Sequence, residues 1–160
     1  MNMAEKDPAQ AMTSSRVAAG ALFVDEHERV LCVHPSYKTS WDIPGGYVET
    51  GESPRDACIR EVREELGISP PFGAMLIVDW APHPREGDKL LFIFDGGTLA
   101  QEQRDTMRPD GDEVTEYAFL DLVDVDERMV ARLARRIRAA AQARSNGGPL
   151  YLEHGEALPN

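Results

Sequence analysis

Cysteine is nearly absent from this 160-residue chain: Cys32 and Cys58 are the whole complement, each within an apolar run. Their spacing fits no zinc pattern, and a single pair is too few for a disulfide framework, so both read as buried thiols packing as small hydrophobes. Long apolar runs are missing as well. The N-terminal MNMAEKDPAQAMTSS has no stretch able to serve as a signal peptide, and nothing later approaches the roughly 20 apolar residues that a membrane helix needs. These features predict a cytoplasmic protein with no membrane partner. Basic residues are scarce relative to acidic ones, 17 against 28, leaving a net charge of −11. Such a balance argues against nucleic acid as a partner, because broad binding relies on neutralising phosphates. It leaves room for a small anionic substrate, since a bound metal reverses the local field. No internal repeat is present.

What remains is an ordinary globular composition, 42% hydrophobic and 28% charged, at the length of one domain with a core of its own. Residues 1–14 are small and polar and read as a loose tail. Residues 16–25 and 29–34 read as strands around a hairpin turn at Glu26, His27 and Glu28, which lacks the usual Gly or Asn. A polar loop, 35–40, carries Tyr37 and Lys38. Residues 41–43 look briefly strand-like and are broken by Pro44-Gly45-Gly46. Strands are expected at 74–81 and at 89–95, the latter ended by Gly96-Gly97, and again at 113–120. Between the last two lies a polar connection, 101–112. A helix is expected over 125–144, with Val125, Met129, Leu133, Ile137 and Ala141 on one stripe and the arginines from Arg128 to Arg144 on a solvated face. Residues 146–160 form a tail in which Leu150-Tyr151-Leu152 can add an edge strand. Strands mixed with two helices, without regular βαβ alternation, predict an α/β fold with a mixed sheet and helices on its faces.

The chemistry concentrates in residues 46–68. Ser53 caps a helix, Pro54 suits its first position, Asp56 completes a capping box, and Gly67 supplies the left-handed stop. At 100° per residue, Cys58, Ile59, Val62 and Leu66 form an apolar arc. Glu61, Glu64 and Glu65 crowd the adjacent arc. Carboxylates so placed repel one another and call for a counter-charge, either a solvated pairing with Arg60 and Arg63 or a hard divalent cation that takes oxygen ligands.

The spacing Gly46, five residues, Glu52, seven residues, Arg60-Glu61-Val62, one residue, Glu64-Glu65, one residue, Gly67-Ile68 resembles the Nudix box at every defined position. The resemblance implies a Nudix-type α/β/α sandwich, spanning residues 15–145, with a mixed sheet between helices. It also implies metal-dependent hydrolysis of a nucleoside diphosphate linked to another group. By that resemblance Glu61, Glu64 and Glu65 are the Mg²⁺ or Mn²⁺ ligands, the Gly45 carbonyl completes the site, and Glu52 with Arg60 forms the supporting pair. The catalytic base in such proteins is a box glutamate, here Glu64, or a later acid. Glu113 is preferred among the later acids over Glu116, with Asp110 and Asp112 behind it. Tyr37, Trp41, Tyr47 and Trp80 are candidates to stack on a base, and Arg16, His34 and Lys38 to meet phosphates. By the same resemblance, a chain this short is similar to the family's compact nucleotide-pool members, which implies a nucleoside triphosphate or related nucleotide as substrate. ADP-ribose or another nucleotide sugar, isopentenyl diphosphate isomerisation, and a non-catalytic nucleotide sensor are the competing readings. Assembly as a homodimer is left open.

Overall fold

Strand β1 (Arg16–Val24) shows how alternation builds two cores from one sheet. Ala19, Ala21 and Phe23 enter one buried cluster, and Leu22 between them enters the other. A computed structural model describes residues 8–159. After a helical turn, α1 (Pro8–Ala11), and β1 come β2 (Val30–Pro35), β3 (Gly45–Tyr47), α2 (Pro54–Leu66), β4 (Met75–Trp80) and β5 (Lys89–Thr98). Then follow α3 (Gln101–Thr106), β6 (Val114–Leu120), α4 (Leu122–Arg128), α5 (Ala131–Asn146), β7 (Leu150–Glu153) and β8 (Glu156–Ala157). The strands form one mixed sheet in the order β6-β2-β1-β5-β4-β7-β8, with β3 paired to β1 off that path. The β1/β5 and β4/β7 pairs are parallel and the rest antiparallel. Helix α2 covers one face through Cys58, Val62 and Leu66, and α4 and α5 cover the other through Val125, Leu133 and Ile137. This is the expected α/β/α sandwich.

Several elements differ from the sequence expectation. Residues 41–43 form no strand, only a bridge from Asp42 to Val33. The glycines after them are strand instead, with Gly45 and Gly46 paired to Gly20 and Ala19. Gly96 does not end β5. A side chain there would meet the Phe23 ring at 2.3 Å, so the glycine answers to packing, and the strand continues to Thr98. The polar connection contains α3, whose Arg104 pairs with Glu26 and lies over Phe119. The expected helix over 125–144 is two helices, since Met129 and Val130 are extended and the Trp41 amide takes the Arg128 carbonyl at 3.1 Å.

Two buried carboxylates fasten connections, one in a hairpin that lacks the usual turn residues and one beside the Gly155 turn. Asp25 accepts from the amides of His27 and Arg29, each at 2.9 Å, which fixes the hairpin while Glu28 takes a left-handed φ of 59°. Asp79 on β4 binds the buried Arg136 of α5 and accepts from the Gly155 amide at 3.0 Å. Arg136 therefore departs from the expected solvated arginine face. The C-terminal segment is correspondingly built into the sheet, with β7 as the expected added strand and β8 outside it. Of the expected loose tail, residues 1–7 lie outside the described residues. Pro8–Ala11 form an exposed turn, and the Thr13 hydroxyl bonds the Asp88 carboxylate.

Candidate active site

Helix α2 owes its placement to its ends. The Ser53 hydroxyl accepts from the Asp56 amide at 3.1 Å, Pro54 occupies the first turn, and Gly67 closes the helix at φ 70°. The capping box is altered: the Asp56 carboxylate accepts from the Ser53 hydroxyl at 2.8 Å. Buried on the apolar side are Ala57, Cys58, Val62 and Leu66, with Ile59 only half-buried. Burial raises both thiols to about 12, Cys58 here and Cys32 in the core across the sheet, so both are packing groups rather than nucleophiles.

Arg60 fastens this helix to the loop that precedes it. Its guanidinium takes both Glu52 oxygens, at 2.8 and 3.0 Å, and donates to the Tyr47 carbonyl at 3.1 Å. It also reaches Glu61 at 2.8 Å and Glu64 at 3.2 Å. The bidentate bond from Arg60 holds the Glu52 carboxyl below its ordinary range, and the same bond raises the Arg60 guanidinium. The expected supporting pair is thus in contact.

The three box glutamates do not share one environment. Glu65 is buried at 7% exposure, and its carboxylate receives the Gly45 amide at 3.1 Å. Burial pushes its pKa up to about 8; the Gly45 bond opposes this and Glu61 adds to it. Glu61 is raised chiefly by burial, with Arg60 pulling the other way. Its carboxylate lies so close to Gly46 that a Cβ there would come within 2.5 Å of it. Glu64, in contrast, has a side chain 53% exposed and, among the described residues, bonds only through Arg60. The third member of the inner group comes from elsewhere. Oxygens of Glu61, Glu65 and Glu113 all lie within 4.8 Å of one another. Glu113, just before β6, is held by the Asp110 carboxylate accepting from the amides of Asp112, Glu113 and Val114. Glu116 is exposed within β6 opposite His34 and is not in the group.

The remaining candidates scatter. Trp41 packs against the core, with the His34 ring at 5.3 Å and Arg128 at 5.8 Å, so both rings brace the loop. Lys38 binds Asp42. Tyr47, with its hydroxyl accepting from Lys89 at 3.2 Å, pairs in register with Ala18, whereas Trp80 pairs with Leu90. Because Ala18 aligns with Leu91, Tyr47 and Trp80 stand on opposite faces of the sheet. Arg16 and Tyr47 line an open hollow of about 420 Å³ together with Val48, Glu49 and Thr50. Sequence reasoning missed Asp42, which adds its negative field to Glu65; only its position beside Pro44-Gly45 hinted at that.

The α/β/α sandwich thus sets the glutamate-rich α2 against the glycines of β3, as the box resemblance implies. A NUDIX domain model matches residues 14–140, and the chain belongs to that family. It is 36% identical over 67 residues to an RNA pyrophosphohydrolase of Roseobacter denitrificans, covering 41% of this chain and 42% of that one. It is 35% identical over 91 residues to an ADP-ribose pyrophosphatase of Methanocaldococcus jannaschii, covering 54% and 48%. The chain thus spans about half the length of the curated relatives it matches. In fold it resembles the MutT protein of Methanosarcina mazei Go1, with a TM-score of 0.67 at 21% identity over 84% of this chain and 96% of that one.

Proposed function

We propose that the chain hydrolyses a diphosphate linkage in a nucleoside diphosphate derivative, with a nucleoside triphosphate as the favoured substrate and Mg²⁺ or Mn²⁺ as cofactor. The carrying observation is the convergence of Glu61 and Glu65 on α2 with Glu113 from the turn before β6. Their chemistry suits a hard cation: all donors are oxygens, and among the described residues the buried Glu65 carboxylate has a single hydrogen-bond donor, the Gly45 amide. Glu61, Glu65 and Glu113 would hold the ion, with the Gly45 carbonyl as a further oxygen. Bound there, a divalent cation supplies neutralisation of the diphosphate and acidifies water.

The chain's own residues do the rest. Arg60 and Glu52 keep the loop and α2 in fixed relation, so that the Glu61 carboxylate stays against Gly46. Glu64 keeps one oxygen outside its Arg60 bond and is open to solvent, which suits it to accept the proton of the attacking water. Glu113 then belongs to the cation rather than to the proton. Lys38 and Arg16 are the cations proposed for phosphates. A cytoplasmic setting belongs to the same reading and is supported by two free buried thiols.

A panel of nucleoside triphosphates and nucleotide sugars, incubated with Mg²⁺ and again with excess chelator, tests this reading. Product formation only with Mg²⁺ is expected. Retained nucleotide binding without any product would identify a sensor instead.

A further inference from the structure

Tyr37 is 76% exposed, more than any other large hydrophobic side chain among the described residues. Its loop is nevertheless pinned at both ends. The Ser36 amide donates to the Glu113 carbonyl at 2.9 Å, Pro35 pairs with Val114, His34 meets the Thr39 carbonyl at 3.3 Å, and Lys38 binds Asp42. The ring therefore projects from a held loop, next in sequence to the residue bonded to Glu113. The Lys38 ammonium lies 5.8 Å from the ring centroid. The other aromatic candidates are less free: Trp41 packs against the core beside His34, Tyr47 has its hydroxyl bonded by Lys89, and Trp80 is half-buried on β4.

A rigidly mounted, solvent-facing aromatic beside an anionic centre has one use that fits its chemistry: a flat, sequence-tolerant face for a ring. We infer that Tyr37 is the platform on which the base of the nucleotide stacks while its diphosphate lies at Glu61, Glu65 and Glu113, with Lys38 released from Asp42 to a phosphate. The inference rests on the hydrolase reading and adds to it that the base, and not only the diphosphate, is recognised.

The test compares two substrates: the nucleoside triphosphate turned over best and 5-phosphoribosyl 1-diphosphate, which carries a diphosphate but no base. Tyr37→Ala should lower the ratio of kcat/KM for nucleotide over base-free substrate about tenfold, mainly through KM, as expected for one lost stacking contact. Tyr37→Phe, which keeps the ring, should restore the ratio to within about twofold. An unchanged ratio in Tyr37→Ala, or an equal loss in Tyr37→Phe, overturns the inference. If the wild-type chain hydrolyses only one of the two compounds, or neither, calorimetric binding of α,β-methylene ATP with Mg²⁺ decides the stacking separately, and the hydrolase reading itself fails only if no compound of the panel above yields product. Binding about tenfold weaker in Tyr37→Ala sustains it, and equal binding overturns it.

Discussion

Gly45 and Gly46 are neighbours that should fail in different ways. A Cβ on Gly45 would sit 2.3 Å from the Ala19 carbonyl at a φ of +151°, so backbone would have to move. On Gly46 the clash is with the far end of the Glu61 side chain, which can swing away. Gly45→Ala should therefore unfold at lower temperature, whereas Gly46→Ala should keep its melting temperature within a few degrees and lose metal affinity about tenfold or more. Melting curves together with Mn²⁺ titration separate the two. Glu65 carries a pH signature. Its folded pKa of about 8 lies above its ordinary 4.5, so the folded state keeps a proton that the unfolded chain releases between those values. That contribution is present below the ordinary value and is lost as pH rises toward 8. The metal-free protein should melt progressively lower across this window, and Mg²⁺ should restore it most at the alkaline end, where no proton must be displaced. A flat metal-free profile would contradict the burial of Glu65. At this scale the caps of α2 were legible, because Ser53 and Gly67 act locally. The burial of Glu65 was not, since helical spacing alone groups it with exposed Glu64 and only the sheet tells them apart.

Among elements, α5 shows how a non-local partner defeats a periodic reading. Its arginines look alike in sequence, yet Arg136 is buried against Asp79, while Arg138 pairs with Asp126 at the surface. Removing one partner strands the other charge away from water. Asp79→Ala should cost about 3–5 kcal/mol in denaturant unfolding, and the loss should extend to the 150–157 hairpin because Asp79 also holds the Gly155 amide. Arg138→Ala should cost less than about 1 kcal/mol, being an exposed pair. Similar costs would mean that the buried pair does not fasten the hairpin. The break between α4 and α5 was equally hidden. Met129 keeps the apolar spacing of the stripe, no Gly or Pro marks the site, and the cause is the amide of distant Trp41.

For the whole molecule, the box residues and the layered architecture were readable because both depend on short-range pattern. The acid centre was readable only in part. Glu113 arrives from the turn before the edge strand β6, placed there by the β2/β6 pairing, and the same pairing leaves Glu116 outside. Activity should follow that division, with Glu113→Gln slowed at least about a hundredfold and Glu116→Gln within about twofold of wild type. The most direct measurement is phosphorus NMR of a nucleoside triphosphate incubated with Mg²⁺ and either the wild-type chain or Glu65→Gln, which keeps shape and removes charge. Wild-type conversion to monophosphate and pyrophosphate, abolished by chelator and reduced at least about a hundredfold in folded Glu65→Gln, is the predicted result. Equal conversion by the two proteins would contradict a cation centre at Glu61, Glu65 and Glu113.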